Sequence, residues 1–127
     1  HHPREIKSTL DAFRAVWPHK RLVNVFQPHR YTRTQSLFAD FVDVLSMSDQ
    51  LLLLDIYPAG EEPIPGVSSE QLANEIRQHG IHVSVVTESN VEQQLNQLVV
   101  DGDVVLMQGA GNIGQLATNL MQMRESA

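Results

Sequence analysis

Four apolar runs, at 22–26, 51–56, 81–86 and 103–107, punctuate the chain, and they are continuous in polarity where surface strands alternate. Runs of this kind suit strands covered on both faces. Between and around them the apolar residues recur at helical spacing. Ile6, Leu10, Phe13 and Val16 or Trp17 share one face, as do Leu37, Phe38, Phe41, Val42 and Leu45. Leu72, Ala73 and Ile76 follow the second run, and Val91, Leu95, Leu98 and Val99 the third. Ile113, Leu116, Ala117 and Leu120 follow the fourth, with Met121 or Met123 as pliable filler. The order is therefore helix and strand in strict alternation, beginning and ending on a helix. Strands joined by helical crossovers lie parallel, so the expected fold is α/β, a three-layer open and mainly parallel sheet with helices on both faces.

Local punctuation agrees with this order. Thr32 with Gln35, Ser68 with Gln71, and Ser89 with Glu92 have capping-box spacing, Gly80 supplies a stop, and Asp101-Gly102 a turn. His1-His2-Pro3 is either the remnant of a purification tag or an authentic start in which Pro3 opens the first helix. At 127 residues the chain is expected to form one domain, 1–127, with an ordinary core. It has no cysteine, so disulfides and thiolate metal sites play no part, and its net charge of −6 argues against general nucleic-acid binding. Neither a membrane-spanning run nor a signal-peptide pattern is visible, so a cytoplasmic domain is expected.

Three loops carry candidate chemistry, and in an open parallel sheet ligands gather beyond the carboxyl ends of the strands where these loops emerge. The first run ends at Pro28 and opens into His29, Arg30 and Arg33 ahead of a helix. Cations at a helix start oppose the dipole, so these residues are either solvated or hold an anion between themselves and the helix N-terminus. Arginine suits a carboxylate or a phosphate because its planar fork meets two oxygens at once. The second loop, YPAGEEPIPG at 57–66, follows Asp55 and carries Glu61 and Glu62. Loop carboxylates of this sort either bind a metal or a ligand amine or are simply hydrated. The third loop contains Gly109, Gly111, Asn112 and Gly114 in a G-x-G-x-x-G between a strand and a helix. It matches a dinucleotide fingerprint but lacks the following strand and acidic residue, leaving glycines that admit close backbone approach or a tight turn. A stand-alone nucleotide-binding module is thus one alternative. His79 and His82 have no metal-site spacing and are expected at the surface.

FQPHRYTRT, IYPAGEEPIPG and QGAGNIG, together with the opening HHP, resemble the carboxy-terminal domain of the Mur ligases, in the family's order and over essentially the whole chain. The resemblance implies a Rossmann-like domain of a cytoplasmic peptidoglycan-synthesis enzyme dependent on ATP and Mg2+. Within the family the motifs are most similar to the branch that joins L-alanine to the lactyl carboxylate of UDP-N-acetylmuramate. The muropeptide-recycling branch is an alternative with a different basic loop. HHP resembles the end of the family's DDYGHHP motif, which implies that His1 and His2 are native. Carried over by position, His1, His29, Arg30 and Arg33 would bind the alanine end, with Asp55, Glu61, Gly109, Gly111 and Asn112 as possible cleft lining. No catalytic residue and no metal ligand is implied within the domain. The chain contains no G-x-x-x-x-G-K-[ST] phosphate loop, so the domain alone is expected to be inactive, to hold no cofactor, and to depend on the amino-terminal and central domains of the same enzyme. The family also places a strand ahead of HHP in this sheet, so an edge open to pairing with another chain is expected here.

Overall fold

The computed structural model describes residues 2–109. The chain runs α1 (Pro3–Val16), β1 (Leu22–Gln27), α2 (Tyr31–Ser36), α3 (Phe38–Leu45), β2 (Gln50–Leu54), α4 (Ser69–Arg77), β3 (His82–Val86), α5 (Val91–Leu98) and β4 (Val104–Gly109). The strands form one sheet in the order β3-β2-β1-β4, and every pairing is parallel. From β1 the chain steps outward to β2 and β3, then returns across the sheet to lay β4 on the other side of β1. The winding therefore reverses between β1 and β4, where a crevice opens in sheets of this type.

Successive strand residues point to opposite faces, and both faces are covered, which is why the runs read as continuously apolar. On one face Leu22, Phe26, Leu51, Leu53 and Val83 meet Ile6, Leu10 and Phe13 of α1, Phe41 and Leu45 of α3, and Leu72 and Ile76 of α4. On the other, Val23, Val25, Leu52, Leu54 and Val86 meet Val91 and Leu95 of α5. Phe26 is fully buried, with its ring tilted against Phe41 at 5.8 Å. Truncating such a side chain to alanine costs about 3–5 kcal/mol.

Several boundaries depart from the sequence pattern. The second helix is two helices, because Leu37 leaves the helical region at φ −114° and ψ 23° and so separates α2 from α3. Thr32 does not cap α2: the helix begins at Tyr31 after Arg30, and the Thr32 hydroxyl is taken by Glu61. Ser89 does not cap α5 either. Asn90 precedes that helix and accepts the amide of Thr87, while Ser89 pairs with the Thr87 hydroxyl. Ser68 does cap α4, accepting the amide of Gln71, and His2 caps α1 with Pro3 as the first helical residue. Val16 and Trp17 lie outside the core at 64% and 41% exposure, although the Trp17 ring rests on Phe13 at 5.6 Å. β2 ends at Leu54, two residues before the apolar run does, and β4 extends through Gly109. His79 and His82 are exposed as expected. The expected final helix, with its apolar residues from Ile113 onward, lies outside the described residues.

Candidate anion site at the strand ends

β1 is buried along its whole length, and Pro28, which has no amide hydrogen to donate, ends it. Past that point the chain is held to the loop that follows β2. The amide of Tyr57 donates to the Pro28 carbonyl at 2.9 Å, and the amide of Arg30 donates to the Tyr57 carbonyl at 2.8 Å. These bonds make His29 and Tyr57 an isolated parallel bridge beyond the end of the sheet. Their rings stack at 5.8 Å with 10° between the planes.

Arg30 occupies a backbone conformation that glycine normally supplies, φ 71° and ψ 140°. A side chain there costs about 1–3 kcal/mol, so surrounding bonds must hold it. Besides the bond from its amide, its carbonyl accepts both the amide of Thr34 at 3.2 Å and the Thr34 hydroxyl at 2.8 Å. Thr34 is itself fully buried.

Arg30 is exposed and Arg33 half-buried. Among the described residues no hydrogen bond or ion pair engages either guanidinium, whereas Arg14 and Arg21 are bound to Asp49 and Asp103. Glu61 does not neutralise them by contact. Its carboxylate accepts the Thr32 amide at 3.1 Å and the Thr32 hydroxyl at 2.5 Å. Those bonds, the hydroxyl first, hold the Glu61 carboxyl below its ordinary range, and Arg30 adds to the effect through space. The expected pocket between the arginines and the helix start is corrected in one respect. The chain's own Glu61 already occupies the first turn of the six-residue α2, so an incoming anion would meet the arginines themselves.

His29 is held below its ordinary pKa, first by burial and then by Arg30 and Arg33. The imidazole is therefore neutral near pH 7, and the positive charge of the site resides in the two guanidinium groups.

Asp55 stands just past β2 with its side chain exposed, and its carbonyl accepts Gln27 Nε2 at 3.2 Å. A depression of about 240 Å³ lies there, lined by Gln27, Asp55, Tyr57, Thr87 and Glu88 among others. Gly109 lies in register with Gln27. It has φ 125°, and a Cβ on it would collide with the Gln27 backbone, so strand pairing alone requires this glycine. That removes one residue from any dinucleotide fingerprint. The structure thus brings His29, Arg30, Arg33 and Glu61 together with Tyr57, and sets Asp55 and Gly109 at the neighbouring strand ends. His1, Gly111 and Asn112 lie outside the described residues. The pattern of the sequence did not single out Tyr57 or Thr34; an aromatic directly after a buried strand, facing a basic loop at the same end of the sheet, was the available hint.

An open parallel sheet whose winding reverses beside β1, with helices on both faces, defines a Rossmann-like α/β domain. The chain belongs to the Mur ligase family: the family model described as the glutamate ligase domain of Mur ligases matches residues 1–111. It is 66% identical over 122 residues to the UDP-N-acetylmuramate–L-alanine ligase of Legionella pneumophila strain Corby, covering 96% of this chain and 26% of that protein. The corresponding ligase of strain Lens is 65% identical with the same coverage. The chain thus spans about a quarter of the length of the curated relatives it matches. In structure it is similar to the UDP-N-acetylmuramate-alanine ligase of Thermotoga maritima, with a TM-score of 0.73 at 20% identity, covering 99% of this chain and 25% of that one. A domain assigned to a UDP-N-acetylmuramate:L-alanyl-gamma-D-glutamyl-meso-diaminopimelate ligase of Haemophilus ducreyi gives 0.69 at 18% identity, covering 97% and 84%. At these identities the structural likenesses bear on fold alone.

Proposed function

We propose that this chain is the amino-acid-binding domain of a ligase that joins L-alanine to UDP-N-acetylmuramate in peptidoglycan synthesis. Arg30 and Arg33, with His29 beside them and His1 in support, receive the carboxylate of alanine. The observation that carries this is the pair of guanidinium groups without a protein partner among the described residues, one of them on a strained backbone that the fold goes to some length to hold. Identity of 66% to ligases named for that reaction points to a carboxylate rather than a phosphate. A carboxylate bound bidentately leaves the α-amine free to act as the nucleophile, and the domain's contribution is to hold that amine in place.

Among the described residues no group of three or more His, Cys, Asp or Glu could hold a metal ion, and the sequence contains no phosphate-loop motif. ATP and Mg2+ are assigned to the remainder of the longer ligase. No helix among the described residues is long and apolar enough to cross a membrane.

Steady-state kinetics of the full-length ligase test the assignment. Arg30→Ala and Arg33→Ala should each lower kcat/KM for alanine about 100-fold, the loss of a charge-assisted pair in a closed cleft. Unchanged values in both variants would remove the site.

A further inference from the structure

We infer that Glu61 is a positioning residue: it fixes the first turn of α2, and with it the directions from which Arg30 and Arg33 approach their ligand, without touching that ligand itself. The inference rests on the anion site proposed above. Thr32 lies between the two arginines in the chain, and Glu61 grips it twice, one carboxylate oxygen on the amide and the other on the hydroxyl. A two-point grip on one residue fixes the rotation of a short helix as well as its location. α2 needs such a grip, because it has six residues, ends at the break at Leu37, and has no side-chain cap of its own.

The loop carrying Glu61 is shaped to deliver it. Tyr57 is fastened to Pro28 and Arg30 by its amide and carbonyl, and the amide of Glu61 closes a turn on the Pro58 carbonyl at 3.0 Å. Within that turn Ala59 and Gly60 both take positive φ, 51° and 87°, so the chain reverses sharply and returns Glu61 to α2. The β2 loop thus holds the arginine segment at two places, the main chain of Arg30 and the side chain of Thr32. A carboxylate beside two arginines would ordinarily pair with them and cancel their charge. Each Glu61 oxygen is engaged by Thr32, and among the described residues neither guanidinium pairs with the carboxylate, which is the requirement for a support that does not compete with the ligand.

The test uses the full-length ligase with alanine, UDP-N-acetylmuramate and ATP varied in turn. Glu61→Ala should raise KM for alanine about 10-fold and Thr32→Val, which keeps the amide bond, by a smaller factor, with kcat changed less and the KM values of the other two substrates unmoved. The double variant should match Glu61→Ala, because Thr32→Val removes only the hydroxyl bond, one of the two that Glu61→Ala already removes. Glu61→Gln, which keeps an acceptor oxygen, and Thr32→Ser, which keeps the hydroxyl, should restore most of the affinity and serve as folded controls. An unchanged KM for alanine in Glu61→Ala and Thr32→Val, or additive losses in the double variant, overturns the inference. A lowered Tm with no change in KM does the same, because it assigns Glu61 to stability alone. Arg30→Ala is measured alongside. If it raises KM for alanine while Glu61→Ala does not, the anion site stands and only the positioning role fails; if Arg30→Ala has no effect, both fall.

Discussion

Gly109 lies against Gln27 at the carboxyl end of the sheet, so close that a Cβ on the glycine would collide with the Gln27 carbonyl oxygen and stand 2.8 Å from its amide nitrogen. The two are the last residues paired between β4 and β1, on the side of the sheet where the winding reverses. The basic loop begins one residue after Gln27, so the contact also sets where that loop leaves the sheet.

Gly109→Ala is expected to destabilise the domain by about 2–4 kcal/mol, combining the positive φ with displacement of the β1 backbone. Urea unfolding of the variant beside the parent gives the value. A change under about 0.5 kcal/mol, the ordinary range of surface substitutions, would show that β4 does not end against β1 as described.

Arg30→Gly separates function from stability. Glycine adopts the φ of 71° without strain, so the variant should keep its stability or gain up to about 1 kcal/mol, less what glycine adds to the entropy of the unfolded chain. In the full-length ligase the same change should cost alanine affinity as Arg30→Ala does. A clear fall in Tm would mean that the arginine side chain contributes to the fold.

The imidazole of His29 should titrate below its ordinary value of 6.5, because burial first, and then Arg30 and Arg33, disfavour its charged form. The unfolded chain then binds a proton near that pH which the folded chain refuses. The contribution to stability is complete above the unfolded value and is lost as pH falls through the folded one. NMR titration of the His29 ring reads the midpoint directly, and Arg33→Ala should move it upward. A midpoint at or above 6.5 in the parent would contradict the described surroundings.

Asn24 is fully buried under the α1–α3 side of the sheet, where Nδ2 donates to Ser48 Oγ at 3.2 Å and Oδ1 has no partner among the described residues. Ser48→Ala alone should cost about 1–3 kcal/mol by leaving the amide without an acceptor. Asn24→Leu combined with Ser48→Ala should recover most of that loss, because it removes both polar groups from an apolar site. A full double-mutant cycle in urea measures the coupling, and simple additivity would show that the two side chains do not meet.

Much of the fold was legible because burial on both faces of a parallel sheet leaves a direct mark, the continuous apolar runs at 22–26 and 51–56 that became β1 and β2. The local chemistry of Ser68 and Pro3 was equally readable, since a cap depends on neighbours a few residues away. Thr32 and Ser89 had the same local pattern and did not cap. Each found another partner, Glu61 across the fold for Thr32 and Thr87 nearby for Ser89, and spacing alone does not rank competing hydrogen bonds.

For the site, the sequence by itself determined which residue types stand at the end of β1, and it left open whether Arg30 and Arg33 are solvated or hold an anion. Only the tertiary structure decided how their charge is kept available. Tyr57 and Glu61, distant in the chain, reach the basic loop because β1 and β2 are adjacent parallel strands whose carboxyl ends lie side by side. The left-handed backbone of Arg30 has the same origin: hydrogen bonds made across the fold hold a conformation that no local preference of arginine would select.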